Sequence, residues 1–135
     1  DKFMGDAIMS WFNAPVPQAD HTLRAVKAAL AIRDAFEGLY KVLPKEAHLA
    51  FGAGIHYGDA VLGLIGTDRR IEYTAISDSV NTAKRLQENS AKNQIIISRA
   101  AYARVQDDLE VRPIAPVAAK GKTQPLEVYE VLGLK

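Results

Sequence analysis

Residues 70–86, RIEYTAISDSVNTAKRL, carry the clearest structural signal in the chain. The first part of this stretch, residues 71–76, is rich in β-branched and aromatic side chains and predicts a short strand. Residues 77–79 are of the types that favour a helix N-cap. They predict a helix that runs to about Asn89, with an apolar side formed by Val80, Ala83 and Leu86. A strand that leads straight into an amphipathic helix is typical of a protein that mixes both kinds of element.

The residues before this unit predict a hairpin and a long helix. Ala7–Phe12 is a short apolar run that predicts a strand leaving a turn at Gly5 and Asp6. Residues 13–19 hold two prolines and predict a loop, and Asp20 is placed to cap the helix that follows. That helix presents a core-facing set of apolar residues at spacings of three and four, namely Ala29, Ile32, Phe36, Leu39 and Leu43, with Leu23, Val26 and Leu30 beside them.

The remaining segments complete the order of elements. Residues 49–56 and 60–65 predict a hairpin around Tyr57-Gly58-Asp59. Gly52 and Gly54 are poor strand residues unless another part of the chain approaches the backbone closely. Further on, the sequence predicts a buried strand at 94–98, a short helix at 99–105, and a final hairpin of residues 109–118 and 126–132 around a basic turn. This order predicts an α+β sandwich in which helices pack on a mostly antiparallel sheet.

The composition limits the class of protein. A chain of 135 residues with 48% hydrophobic and 24% charged residues suits one globular domain. Its 17 basic and 16 acidic residues leave a net charge of +1, which argues against a dedicated nucleic-acid-binding protein. The absence of cysteine excludes a disulfide scaffold and a thiolate metal site, and it fits a reducing, cytoplasmic location. No apolar stretch approaches the roughly 20 residues of a membrane span, so we expect no direct membrane contact by this segment.

Three polar features are candidates for chemistry, and each has a plainer alternative. Asp6 lies at a hairpin tip, where a carboxylate and open amides could hold a cation and a phosphate, or could simply form a turn. Asn81 and Arg85 are four residues apart on one helix face, which suits an anion clamp or a solvated surface. Residues 120–122, Lys-Gly-Lys, could reach a phosphate or form a solvated turn. Residues 52–54 do not form a dinucleotide-binding GxGxxG loop, and the three histidines lack metal-ligand spacing.

The order of these features along the chain resembles the class III nucleotidyl cyclase catalytic domain. The resemblance covers essentially the whole chain, and it rests on KFMGD (2–6), GIHYGD (54–59) with GLIG (63–66), RIEYTAISDSVNTAKRL (70–86) and KGK (120–122). The pattern YTxIxDxVNxAxRL within one strand–helix unit is specific. The resemblance implies a ferredoxin-like two-layer sandwich, of which residues 1–135 form part.

The resemblance also implies a reaction. In the family, the ribose 3′-hydroxyl of a nucleoside triphosphate attacks its own α-phosphorus, expels pyrophosphate and closes a 3′,5′-cyclic monophosphate. Two Mg²⁺ (or Mn²⁺) ions held by two aspartates assist, and the active sites lie between two subunits. At the matching positions, Asp6 is the second metal aspartate, Lys2 and Thr74 read the purine, Asn81 and Arg85 hold the substrate and stabilise the transition state, and Lys120 neutralises the triphosphate.

The identity of the purine readers bears on the substrate. Adenine N1 is a hydrogen-bond acceptor and its 6-amino group is a donor, so a Lys donor and a Thr hydroxyl satisfy both. Lys2 with Thr74 therefore favours ATP, whereas the guanylyl members of the family resemble Glu with Cys at these places. In the family the purine readers, the Asn and the Arg act from one subunit, and the metal aspartates act from the other.

One residue that the family requires has no counterpart in this chain. The first metal aspartate belongs to an opening strand, ahead of two helices and well upstream of the K-x-x-G-D turn, and Asp1 cannot replace it. We expect that strand to precede residue 1 in the natural protein, because a sheet without it would expose an edge and an apolar face. The leading hypothesis is a homodimeric adenylyl cyclase. The alternatives are a catalytically inactive cyclase-like module that binds nucleotide or dimerises, and a guanylyl cyclase.

Overall fold

A computed structural model of the chain describes residues 2–4, 6–67, 70–118 and 124–135, and for residues 2–4, 65, 67 and 70–76 it describes the backbone. Within these ranges the strands are β1 Lys2–Met4, β2 Ala7–Met9, β3 Gly52–Ile55, β4 Val61–Thr67, β5 Arg70–Ile76, β6 Gln94–Ser98, β7 Leu109–Pro113 and β8 Val128–Leu134. The helices are α1 His21–Val42, α2 Asp78–Glu88 and α3 Arg99–Tyr102, with a 3₁₀ turn at Lys45–Ala47.

Four of the strands form one sheet in the order β3-β6-β8-β7. β3 runs parallel to β6, whereas β8 is antiparallel to both β6 and β7. The pairs β1–β2 and β4–β5 form two further sheets of two antiparallel strands each. The predicted α+β arrangement with a mostly antiparallel sheet is therefore confirmed for the described residues.

The predicted hairpin around residues 57–59 is wrong. Instead of pairing with β4, β3 lies parallel to β6, with Gly54 opposite Ile96, and β4 pairs with β5. The physical reason is burial, because β6 contributes the fully buried run Ile95–Ile97 and its neighbour β3 shares that environment. Parallel strands need a long crossover connection, and α2 lies in the chain segment that provides it.

The other two predicted hairpins are confirmed. In the first, Met4 lies opposite Ala7, which leaves residues 5 and 6 between the strands, and of these Gly5 lies outside the described residues. In the second, β7 and β8 are antiparallel, and an isolated bridge between Val117 and Leu126 extends the pair towards the basic turn. Residues 119–123 of that turn lie outside the described residues.

Helices cover both faces of the four-stranded sheet. Ile95 and Ile97 of β6 belong to a buried cluster that includes Val26 and Ala29 of α1. Ile96 points to the other face, because successive side chains of a strand alternate, and it packs with Leu86 of α2 in a second cluster that also contains Val117 and Val128. The sheet thus separates α1 from α2, the helix that carries two of the predicted site residues.

The apolar face of α1 is correctly predicted at its start and wrong towards its end. Val26 and Ala29 are buried, but Ile32 and Leu39 are 43% and 47% exposed. At about 100° per residue Ile32 and Leu39 lie about 60–80° to one side of Ala29, whereas Arg33 lies about 40° to the other side and donates to the backbone carbonyl of Val131 in β8 at 3.3 Å. Ile32 and Leu39 are therefore at the edge of the face that α1 packs on the sheet.

Asp20 does not cap α1 in the way that the sequence predicts. It occupies the N-cap position, but its side chain accepts no hydrogen bond from the helix backbone. Its carboxylate instead accepts a hydrogen bond from Nε of Arg24 at 2.7 Å, which lowers the pKa of Asp20. The reason is local geometry, because its backbone angles of φ −99° and ψ 29° lie outside the extended region typical of a capping residue.

Candidate active site

The strand–helix unit at the centre of the candidate site forms as the sequence predicts. Ser77 is in extended backbone, and its side chain accepts a hydrogen bond from the backbone N–H of Val80 at 3.3 Å. One turn further on, the Thr82 hydroxyl donates to the backbone carbonyl of Asp78 at 2.9 Å. These two bonds fix the first turn of α2, from which the predicted anion-binding residues project.

Asn81 and Arg85 lie on the outward side of α2. Asn81 is exposed and Arg85 is half-buried, whereas Thr82 and Leu86, on another side of the same helix, are buried. Within the described part of the chain, the guanidinium of Arg85 makes no ion pair or hydrogen bond. An amide and a planar cation one turn apart, with the guanidinium uncommitted, suit contact with a polyanion such as a triphosphate.

Thr74 belongs to the strand that leads into this helix. Its backbone lies in β5, opposite Gly63 of β4 and three residues before the Ser77 cap. The structure therefore places Thr74, Asn81 and Arg85 on one continuous unit, with the strand at one end and the helix at the other.

Lys2 and Asp6 lie on a different element. The backbone of Lys2 is in β1, opposite Met9, and Asp6 is exposed in the turn before β2. The β1–β2 hairpin shares no sheet with the β4–β5 hairpin that carries Thr74. The described residues thus divide the predicted site into two groups, and Lys120 lies outside them.

The described residues do not complete a divalent-cation site. No group of three or more His, Cys, Asp or Glu side chains in the described ranges could hold a metal ion. Asp6 offers one exposed carboxylate, and two ions about 3.5–4 Å apart need at least a second one.

The loop between β3 and β4 contacts the start of α2, although no motif in the sequence predicts a role for it. Nδ1 of His56 lies 2.8 Å from the Ser98 hydroxyl. The Arg104 guanidinium lies over the Tyr57 ring, 4.4 Å from its centroid, and Nη1 donates to the Tyr57 hydroxyl at 3.2 Å. The next residue, Gly58, packs against Ser79 at the start of α2. The available signal was the glycines at 54 and 58, which mark close backbone approach.

Comparison with known proteins identifies the kind of domain. Residues 2–133 match the adenylate and guanylate cyclase catalytic domain. The chain is 34% identical over 137 residues to "Adenylate cyclase 1" of Rhizobium meliloti (strain 1021), a match that covers 98% of this chain and 21% of that protein.

Solved structures agree with this match. The adenylyl cyclase CyaB from P. aeruginosa superimposes with a TM-score of 0.92 at 30% identity, covering 98% of this chain and 70% of that one. The guanylate cyclase domain of RhGC from Catenaria anguillulae superimposes with a TM-score of 0.79 at 26% identity, covering 92% of this chain and 66% of that one.

The mostly antiparallel sheet and the helices packed on it define an α+β domain. The similarity to the CyaB structure places this domain in the ferredoxin-like class. The chain belongs to the adenylate and guanylate cyclase catalytic domain family. It spans about a fifth (21%) of the length of the Rhizobium relative. In the described ranges no helix has the length and apolarity to cross a membrane.

Proposed function

We propose that this chain forms part of the catalytic domain of an adenylyl cyclase, which converts ATP to 3′,5′-cyclic AMP and pyrophosphate. The observation that carries the proposal is the pairing of exposed Asn81 with half-buried Arg85 on α2, directly after the strand that contains Thr74. Membership of the cyclase family supports the reaction. The 34% identical relative named as an adenylate cyclase supports ATP as the substrate, although the family also contains guanylate cyclases.

The reaction needs positioned positive charge more than covalent chemistry from the protein. A bond forms between the ribose 3′-oxygen and the α-phosphorus, the bond from that phosphorus to the leaving pyrophosphate breaks, and the hydroxyl proton is released. Negative charge grows on the α-phosphate and on the pyrophosphate as this happens. We assign Arg85 to that growing charge, because its planar guanidinium can donate two parallel hydrogen bonds to phosphate oxygens. Asn81, one turn earlier, holds the substrate beside it.

The remaining assignments concern the ends of the substrate. Lys2 and Thr74 bind adenine, with the lysine donating to N1 and the threonine hydroxyl accepting from the 6-amino group. Lys120 neutralises the triphosphate tail as a mobile point charge. Two Mg²⁺ (or Mn²⁺) ions, when bound, supply further charge compensation at the phosphates, with Asp6 as one ligand and an upstream aspartate as the other.

A second copy of the chain is the proposed partner. Asp6 lies on the β1–β2 hairpin, whereas Thr74, Asn81 and Arg85 lie on the unit formed by β5 and α2. In the proposed dimer one subunit gives Asp6 to a site, and the other gives Thr74, Asn81 and Arg85 together with Lys2 from its own β1. We further propose that the domain works in the cytoplasm, where ATP is available.

The decisive experiment is a kinetic comparison of Arg85→Ala with Lys84→Ala in the full-length protein, measured as cyclic AMP formation at saturating Mg²⁺ or Mn²⁺. Lys84 is the matched control because it is the neighbouring cation of α2 and is exposed. We expect Arg85→Ala to lower kcat and kcat/KM by similar factors of about 10²–10³, with KM nearly unchanged. Arg85→Lys should rescue poorly, since a point charge cannot reproduce the planar fork.

Other outcomes would change the proposal in defined ways. A variant that raises only KM would show that Arg85 binds substrate without stabilising the transition state. Wild-type kinetics in Arg85→Ala would make this residue part of a solvated helix face. A wild-type protein that binds nucleotide but forms no cyclic product would support the inactive binding module instead.

A further inference from the structure

We propose that Gly54 and Gly58 are positioning residues for Arg85 and Asn81, an inference that rests on the proposed function. Gly54 lies in β3 and Gly58 in the loop after it. The two glycines form what we call the helix seat, because their lack of side chains allows α2 to lie directly on the β3 backbone. The helix seat sets the distance between α2 and β3, and with it the position of Asn81 and Arg85 relative to the substrate.

The contact at Gly54 is with the backbone of the helix. A Cβ atom at this position would lie 2.5 Å from the backbone nitrogen of Gln87 and 2.8 Å from Cβ of Leu86, and it would also overlap the carbonyl oxygen of Ala83. Cβ atoms in real structures essentially never approach other atoms within 3.0 Å. Because backbone atoms cannot rotate away as a side chain does, any side chain at Gly54 must displace α2 itself.

The contact at Gly58 is with a side chain. A Cβ atom there would overlap the hydroxyl oxygen of Ser79, and it would lie 3.3 Å from Cβ of Ser79 and 3.2 Å from Nε2 of His56. The loop that carries Gly58 is held on the other side by the contact of His56 with Ser98. Because this contact restrains the loop, a side chain at Gly58 would push against the first turn of α2.

Helix geometry connects this seat to the candidate site. Successive residues of an α-helix are rotated by about 100°, so Ser79, Ala83 and Leu86 fall within roughly 60° of one another. On the same count Asn81 lies about 140–160° and Arg85 about 100–160° away from these three residues. A displacement of α2 away from β3 therefore carries both residues outward by the same distance.

The expected consequence is catalytic. An error of about 1 Å in the position of a catalytic group can lower a rate by about 10²-fold. If the seat acts by positioning Arg85, its disruption should resemble the loss of Arg85, with kcat falling more than KM rises. If the helix seat contributes only to stability, its disruption would lower the amount of folded protein and leave the kinetic constants of the folded fraction unchanged.

The first test compares Gly54→Ala with Gly133→Ala in the full-length protein. Gly133 is a matched control, because it also lies in a strand and a Cβ there would meet no atom within 4 Å. We expect Gly54→Ala to lower kcat by about 10- to 10²-fold, and Gly133→Ala to leave kcat close to that of the wild type. Equal kinetics in both variants would overturn the proposal.

A double-variant cycle separates positioning from general damage. If Gly54 acts through Arg85, Gly54→Ala should cost much less in an Arg85→Ala background than in the wild type. A full, multiplicative loss in that background would show that Gly54 does not act through Arg85. If Arg85→Ala alone retains wild-type activity, the role assigned to Arg85 fails, and if the wild-type protein forms no cyclic AMP, the proposed function fails, so the two failures are distinguished.

A second pair of variants covers the case in which Gly54→Ala does not fold. Gly58→Ala should lower kcat, and adding Ser79→Ala should restore it, because this change removes the overlapping hydroxyl and leaves Cβ at 3.3 Å. Absence of rescue would contradict the assigned contact. Spin labels at Lys84→Cys in α2 and Glu110→Cys in β7, both exposed, can also report whether α2 moves away from the sheet in Gly58→Ala, once any cysteine outside these 135 residues has been replaced. If kcat is reduced while the distance between the two labels is unchanged, the proposal that α2 is displaced is wrong.

Discussion

Neighbouring residues of α2 differ in environment because of helix geometry alone. Lys84 is exposed, whereas Arg85 is half-buried and shares its side of the helix with Asn81. A composition count treats the two cations alike, but a rotation of about 100° per residue sends them in different directions. At the scale of single residues, the function that we propose therefore depends on position in the helix more than on charge.

The choice between ATP and GTP is a residue-scale prediction. Guanine presents a donor at N1 and an acceptor at its 6-oxygen, the reverse of adenine. We expect Lys2→Glu combined with Thr74→Cys to lower kcat/KM for ATP sharply, because unpaired groups against the wrong purine cost on the order of several kcal/mol. Assays with ATP and GTP in parallel should show a higher GTP-to-ATP ratio than in the wild type. Unchanged ATP turnover would remove both residues from base recognition.

Glu130 gives a second residue-scale prediction. Its carboxylate accepts hydrogen bonds from Gln94 at 2.9 Å and from Arg112 at 2.5 Å, and these two bonds lower its pKa. A carboxyl with a lowered pKa in the folded state stabilises the protein above its unfolded pKa, and the contribution disappears as the pH falls through the folded pKa. We expect Glu130→Gln to reduce the free energy of unfolding by about 1 kcal/mol near neutral pH.

The measurement for Glu130 is chemical denaturation at several pH values. The difference between wild type and Glu130→Gln should shrink as the pH falls below the ordinary range of a glutamate and vanish in strong acid. Glu127→Gln is the control, because Glu127 is paired with Arg99 but its side chain is 58% exposed, against 18% for Glu130. Exposed pairs contribute little, so its variant should differ by less than about 0.5 kcal/mol at any pH. A difference for Glu130→Gln that is independent of pH would contradict the charge argument.

At the scale of elements, α2 is defined by its ends and by the strand beneath it. Ser77 caps its first turn, and Asn89 closes its last turn by donating from its backbone N–H and its side-chain amide to the Arg85 carbonyl. The strand beneath, β3, is short and contains two glycines. Its pairing with β6 and the close approach of α2 explain why residues with low strand propensity occur there.

The cap of α2 can be tested by removing one oxygen atom. We expect Ser77→Ala to lower the free energy of unfolding by about 1 kcal/mol, because the N–H of Val80 loses its acceptor. Denaturant melts of the variant and of Ser10→Ala, an exposed serine in a loop, provide the comparison. The serine in the loop should give a change close to zero. Equal stability of Ser77→Ala and the wild type would show that water satisfies the freed N–H at no cost.

At the scale of the whole molecule, the described residues do not unite the predicted site on one sheet. Asp6 lies on the β1–β2 hairpin, whereas Thr74 and Arg85 lie on the unit formed by β5 and α2. A homodimer with two equivalent sites would bring such groups together across the interface, each chain giving Asp6 to one site and Lys2, Thr74, Asn81 and Arg85 to the other.

Shared sites predict complementation between two inactive variants. In a mixed dimer of Asp6→Ala and Arg85→Ala chains, one site would carry both substitutions and the other would carry neither. Random pairing of equal amounts makes about half of the dimers mixed, so we expect about a quarter of the wild-type cyclic AMP production. Each variant refolded alone is the control and should stay inactive. Inactivity of the mixture, with mixed dimers demonstrated by differential tagging, would disprove sites shared in this way.

The local elements that carry the site follow from the amino-acid sequence alone. The β-branched run before Ser77, the cap residues and the spacing of Leu86 specify β5 and α2, since propensity, capping and periodicity act within a few residues. The order of these motifs also indicated the family before any fold was known, because residues that act on one substrate keep characteristic spacings.

Which elements contact one another depends on packing between distant segments of the chain. The pairing of β3 with β6 joins residues about forty positions apart, and burial of Ile95–Ile97 selected it over a local hairpin. The same packing left Ile32 and Leu39 of α1 partly exposed and brought Gly54 against the backbone of α2. Local patterns cannot specify these contacts, because the free energy of burial depends on surfaces supplied by segments distant in sequence.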